Sequence, residues 1–280
     1  MKRRLKTKRR GIAKRRKKSI FTNFYFSFSI FASIIVLSAA GFLLFSPRFQ
    51  VSEFNISGNN NISTEDLEKA AGEKLKTSFS LLGFDVSTES IFLSMGNGVN
   101  DLMKSFPEIE KITVKKDFPN GVSLQIVEKT PYAVWTENFD NSKKYLIDKN
   151  GSYIKNFEDR EEYSSLIKVN EKEKIENLDK KNVLENLSQI KDGLSKYSIV
   201  VNYFDIYETK TVVQTDLSCE IIFYIGGDKG YADLDWQIEK LGIVLNDGKY
   251  AKDLNSIKYI DLRFGNKTNI CKDGSECASE

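Results

Sequence analysis

The pattern of hydrophobic residues changes abruptly near the N-terminus of the chain. From Ser19 to Pro47 there is no charged side chain, and thirteen Phe, Ile, Leu or Val residues fall within Phe24–Phe45. A helix of about 20 apolar residues crosses the ~30 Å hydrocarbon core of a bilayer. The pattern therefore predicts a transmembrane helix, which we assign to residues 20–47.

Beyond this stretch, the spacing of apolar residues is typical of short strands and helices and predicts a small β-α-α-β-β domain at residues 48–129. The turn signal Asn120-Gly121 is typical of a hairpin between two strands. Alternating apolar positions indicate three strands, at residues 49–57, 109–116 and 121–129.

Two helices are predicted between the first and second of these strands. The first should begin at Ser63, whose hydroxyl is a favoured helix cap, and should end at Gly72. The second lies within residues 88–106, where Gly96-Asn97-Gly98 should interrupt it. Pro107 should end it, because proline cannot continue the hydrogen-bond ladder of a helix.

The remaining pattern predicts a larger mixed α/β domain with a mainly antiparallel sheet, at residues 130–268. Amphipathic helices are indicated at 175–197 and 234–245. Strands are indicated at 203–207, 211–215, 219–225 and 257–264, the last of which should lie at a sheet edge. A polar tail at 269–280 completes the organisation, and the fold class is α+β.

Charge divides the chain into two unlike parts. Twelve Lys or Arg and no acid lie between Lys2 and Lys18, and beyond this arm 30 basic residues face 39 acidic ones. Basic flanks stay in the cytoplasm, so residues 1–19 are predicted to be cytoplasmic and the rest extracytoplasmic. The arm predicts contact with anionic membrane lipids. The acidic remainder argues against nucleic-acid binding.

A cleavable signal peptide is an alternative interpretation of the N-terminal region. Residues 38–41 offer a weak cleavage site, but the apolar run is longer than the core of a signal peptide and continues past that site.

The sequence has few of the residues that usually act in catalysis or bind metal ions. The chain has no histidine, which removes the usual general base and the commonest metal ligand. Three cysteines cannot complete a four-ligand zinc site alone. Cys219 lies in an apolar strand and should be a buried thiol, whereas Cys271 and Cys277 could form a short disulfide or remain two exposed thiols. We predict no catalytic site, cofactor, metal or small-molecule substrate.

The segment Glu128-Lys129-Thr130-Pro131, followed by Ala133 and Trp135, is the most specific of several in this chain that resemble the POTRA domain of the bacterial division proteins FtsQ and DivIB. Residues 145–151 and 259–267 are similar to the β domain that follows POTRA in that family. The other matching segments are 54–59, 62–67, 106–109, 112–115 and 118–122.

The resemblance implies a bitopic, non-catalytic scaffold of the divisome that is enriched at the septum. Such a scaffold would link division proteins, help control septal peptidoglycan synthesis and bind coiled-coil membrane partners of the FtsB and FtsL type. Two alternatives belong to other classes. A membrane-anchored cell-wall enzyme would need a paired acid and base, and a transport or assembly factor would normally show several POTRA units and a barrel.

The resemblance also places the partner site on the predicted last strand and the residues after it. In this hypothesis Arg263 makes a charge-assisted contact, Phe264 fills a pocket on the partner, and residues 265–268 supply backbone hydrogen bonds. The expected partner-binding residues are Tyr259, Leu262, Arg263, Phe264, Gly265, Asn266, Lys267 and Thr268.

Overall fold

The computed structural model describes most of the chain beyond the basic arm. The described residues are 24–75, 77–81, 84–139, 142–217, 219–225, 233–247, 256–265 and 267–272. Helix α1, Phe24–Phe45, has a mean hydropathy of 2.4 in its most apolar window and no buried residue. At about 1.5 Å per residue it is roughly 33 Å long, enough to cross a bilayer. It is the one candidate membrane span among the described residues.

The small domain has the predicted order of strands and helices. The elements are β1 Glu53–Ser57, α2 Thr64–Lys74, α3 Gly96–Ser105, β4 Ile109–Asp117 and β5 Gly121–Glu128. Both helices cover one face of a sheet with the order β1-β5-β4, in which β1 is parallel to β5 and β4 is antiparallel to it. The core between helices and sheet includes Leu67, Ala71, Leu102, Val122, Leu124 and Ile126.

Two details of these helices differ from the prediction. Gly72 does not end α2, which continues to Lys74, and α3 begins at Gly96 instead of being interrupted there. Gly98 has a packing role: a Cβ there would lie 2.3 Å from the carbonyl oxygen of Lys74, so glycine lets the two helices approach closely. A hairpin that the pattern did not indicate, β2 Thr77–Leu81 and β3 Phe84–Thr88, lies between the helices in the chain.

The carboxylate of Glu128 closes the turn that follows β1. It accepts hydrogen bonds from the backbone N–H groups of Asn60, Asn61 and Ile62 at 2.8–3.2 Å, and from Asn61 Nδ2 at 2.8 Å. Desolvation raises the pKa of Glu128, but the hydrogen bonds from the Asn61 side chain and the three N–H groups together outweigh it and lower the pKa. The most specific segment of the resemblance thus has a structural role.

Replacing Glu128 with Gln should destabilise the protein by about 1 kcal/mol, because one acceptor oxygen becomes a donor amide that faces N–H groups. A lowered pKa in the folded state means that this stabilisation is present above pH 4.5 and is lost as pH falls further. Urea unfolding at neutral and acidic pH measures both effects. Glu110→Gln, at an exposed position of β4, is the control, and equal effects of the two substitutions would contradict the role of Glu128.

The large domain is a nine-stranded sheet with two helices, α4 Lys180–Ser195 and α5 Leu234–Asn246, on one face. Five of its eight neighbouring strand pairs are antiparallel, which confirms the predicted sheet type. The strand order is β14-β13-β12-β11-β10-β9-β6-β7-β8. The strands are β6 Ala133–Glu137, β7 Lys143–Ile147, β8 Tyr153–Asn156, β9 Ile167–Glu171, β10 Val201–Ile206, β11 Thr211–Thr215, β12 Glu220–Phe223, β13 Ile257–Asp261 and β14 Asn269–Lys272.

The prediction for the last strand was wrong about the residue at which it ends and about its position in the sheet. β13 ends at Asp261, and it lies between β12 and β14 instead of at an edge. β14 forms from residues that were expected to begin the polar tail, because Ile270 packs on the core and Cys271 is buried.

The cysteines occupy two different environments. Cys219 is a buried free thiol, as predicted, and burial raises its pKa. Cys271 is disulfide-bonded, in line with one of the two alternatives, but it is buried instead of lying in an exposed tail. Cys277 lies outside the described residues.

Candidate partner-binding edge

Strand β14 forms one outer edge of the large sheet. It pairs with β13 in antiparallel register, with Ile260 opposite Ile270 and Asp261 opposite Asn269. Among the described residues no strand lies beyond it. Alternate residues of an antiparallel edge strand direct their N–H and C=O groups outward. An extended peptide could therefore add to this edge by backbone hydrogen bonds.

The segment between β13 and β14, residues 262–268, is called the edge loop here. Helix α5 holds it in place through two side chains. Lys240 Nζ donates to the carbonyl oxygens of Leu262 at 2.7 Å and Phe264 at 2.6 Å, and Trp236 Nε1 donates to that of Gly265 at 3.0 Å. Because three of its carbonyl groups are bonded to one helix, the part of the loop at residues 262–265 is held against α5.

Lys240 carries a charge in a largely buried position. Desolvation lowers the pKa of its ammonium group, and the nearby Asp261 carboxylate acts in the opposite direction. Cationic donors form stronger hydrogen bonds than neutral ones. The cost of burying the charge is therefore offset by the two carbonyl oxygens that it binds.

An ion pair closes the start of the edge loop. Arg263 donates through Nε and Nη2 to the Asp261 carboxylate at 2.8–3.2 Å, and its backbone N–H donates to the same group at 3.1 Å. The guanidinium also lies over the ring of Phe264, 5.5 Å from its centre. Only 16% of the Arg263 side chain is exposed. A partner carboxylate would thus meet a guanidinium that is already bound to Asp261.

The structure separates the expected site residues into two groups. Leu262 is fully buried, and its N–H donates to the Ile222 carbonyl, so its side chain belongs to the core of this chain. Tyr259 is half-buried inside the sheet. The residues that reach the surface of the edge loop are the half-buried Arg263, Phe264, Gly265 and Thr268 and the exposed Lys267, while Asn266 lies outside the described residues.

Sequence reasoning missed the supports of the edge loop. Trp236 and Lys240 are four residues apart on α5 and therefore share a helix face. Trp236 is 42% exposed and bonds to the loop. A lysine within the apolar stripe of a helix was the available signal, since a buried cation needs acceptors nearby.

Comparisons with known proteins agree with this architecture. Residues 49–129 match the family described as POTRA domain, FtsQ-type. A cell division protein DivIB from Lactococcus lactis is 31% identical over 123 residues, which cover 44% of this chain and 28% of the relative. A cell division protein FtsQ from Bartonella bacilliformis is 24% identical over 140 residues, which cover 48% of this chain and 41% of the relative. Each match spans less than half of the relative.

Residues 49–129 are therefore an FtsQ-type POTRA domain, which lies in the chain between a candidate membrane helix and a sheet domain. Over less than half of its length the chain is similar to the cell division proteins DivIB and FtsQ.

Proposed function

We propose that this chain is a non-catalytic scaffold of the divisome that holds other division proteins and helps control septal peptidoglycan synthesis. Its partners in this proposal are coiled-coil membrane proteins of the FtsB and FtsL type and other divisome components. The FtsQ-type POTRA domain and the similarity to a DivIB division protein support this role, and the lack of histidine in the sequence is consistent with it. The N-terminus lies in the cytoplasm, where the basic arm contacts anionic lipids.

The observation that carries the proposal is the edge at β14 with its edge loop. A partner strand beside β14 gains backbone hydrogen bonds, and the loop presents Phe264 and Lys267 next to them. Exposed Lys258, on the neighbouring strand β13, adds a second positive charge near this edge. An acidic, partly apolar segment is therefore the partner chemistry that fits best.

Localisation tests the function as a whole. A fluorescent protein fused to the N-terminus of the full chain should concentrate at the septum of dividing cells. A fusion that carries only residues 1–47 should spread evenly around the membrane, because it keeps the anchor and lacks the folded domains. Uniform fluorescence from the full chain would argue against a division role.

A further inference from the structure

Four aromatic rings form a continuous row that starts on the membrane helix and ends on the small domain. Phe42, in the last turn of α1, contacts Phe49 with ring centres 6.2 Å apart. Phe49 contacts Phe92 at 5.2 Å, and Phe92 contacts Phe118 at 5.5 Å. Phe92 is 43% exposed and Phe118 is 61% exposed. Neither ring is needed to fill the core of the domain.

The end of α1 is fastened to the POTRA domain, so this row has a defined position relative to the membrane. Gln50 Nε2 and the hydroxyl of Thr88 donate to the Leu44 carbonyl at 2.7 and 2.8 Å. The hydroxyl of Ser90 donates to the Leu43 carbonyl at 3.1 Å. These bonds satisfy carbonyl groups that a helix end leaves unpaired.

The backbone continues this connection directly after the helix. Val51 N–H donates to the Glu89 carbonyl, and Ile91 N–H donates to the Phe49 carbonyl, both at 2.9 Å. The POTRA fold therefore begins within a few residues of the end of α1. Because the span and the domain are joined so closely, the exposed rings of Phe92 and Phe118 lie beside the point where α1 leaves the bilayer.

We propose that Phe92 and Phe118, continuous with Phe42 and Phe49, insert into the lipid interface of the leaflet at the C-terminal end of α1, so that the POTRA domain rests on the membrane surface. Aromatic rings are enriched at this depth in membrane proteins. Arg48, which precedes Phe49 in the chain, is exposed and can reach lipid phosphate groups. This contact fixes the tilt of the domain over the membrane.

Quenching by brominated lipid tests the proposal on the full chain in phosphatidylcholine nanodiscs. Phe118→Trp and Phe92→Trp each add one tryptophan, and the emission of Trp135 and Trp236 is subtracted with the parent protein. Interfacial side chains lie about 5–10 Å deep, so bromine near the headgroup should reduce the added emission about twofold. Each variant is first shown to keep the thermal transition of the parent.

Val127→Trp is the matched control. Val127 is 45% exposed on the same hairpin, six residues along β5 from the turn and so roughly 20 Å away. Its emission should not respond to bromine. Equal quenching at positions 118 and 127, or none at 92 and 118, would overturn the proposal. If tryptophan at 118 is shielded from both bromine and acrylamide, the row packs against protein, and the lipid contact is wrong.

Discussion

Replacing Lys240 with Met should lower the free energy of unfolding by about 2 kcal/mol, although methionine keeps most of the apolar length of the side chain. The substitution leaves the carbonyl oxygens of Leu262 and Phe264 without the donor they have in the native state. Removing the buried charge also removes its desolvation cost, which favours the variant. The cost of leaving two buried carbonyl oxygens without a hydrogen-bond donor is larger, because backbone carbonyl groups cannot be replaced by apolar ones.

Urea unfolding of the full chain in detergent measures this effect as a shift of the midpoint at unchanged slope. Lys181→Met is the control, because Lys181 is exposed and its pair with Glu185 spans 3.9 Å on the surface of α4. An exposed pair of this kind contributes about 0.3–0.5 kcal/mol. If the two substitutions lower the free energy of unfolding by the same amount, Lys240 does not support the edge loop.

The sequence predicted the N-terminal apolar helix and the small domain well for physical reasons. A long uncharged apolar run has few alternatives to a membrane span, and α1 at Phe24–Phe45 falls within the predicted 20–47. Strand β5 alternates over eight residues and β4 alternates from Ile112 to Lys116, on either side of a strong turn signal, so their pattern is hard to mistake. These features depend on residues that are neighbours in the chain.

The errors concern contacts between residues that are distant in the chain. Gly98 was interpreted as a helix breaker, but its role is to let α3 approach the end of α2. Strand β14 has four residues and too short a pattern to stand out, and only the strand order of the sheet shows that it covers β13. Periodicity along the chain cannot reveal which strand is outermost.

Replacing Phe264 with Ala should weaken binding of a coiled-coil partner by one to two decades. Burying an aromatic ring contributes about 1.5–3 kcal/mol, and every 1.4 kcal/mol is about a tenfold change in affinity. Phe139→Ala is the matched control, because Phe139 is an exposed phenylalanine of the same domain, in the turn that precedes β7. A titration of purified FtsB-type partner against each variant gives the affinities, after the thermal transition of each has been compared with that of the parent.

Two substitutions at Lys267 distinguish the contribution of its backbone N–H group from that of its charge in the same titration. Lys267→Pro removes a backbone N–H just before β14 and alters the charge, whereas Lys267→Glu reverses the charge and keeps the N–H group. A larger loss of affinity with Lys267→Pro indicates that the partner adds a strand to the edge. A larger loss of affinity with Lys267→Glu indicates that the positive charge recognises an acidic segment. If Phe264→Ala and Lys267→Pro both retain the parent affinity, the β14 edge is not the binding site. Strand β4, one of the two outer strands of the POTRA sheet, is then the next surface to test, because it is also an edge that a partner strand could extend.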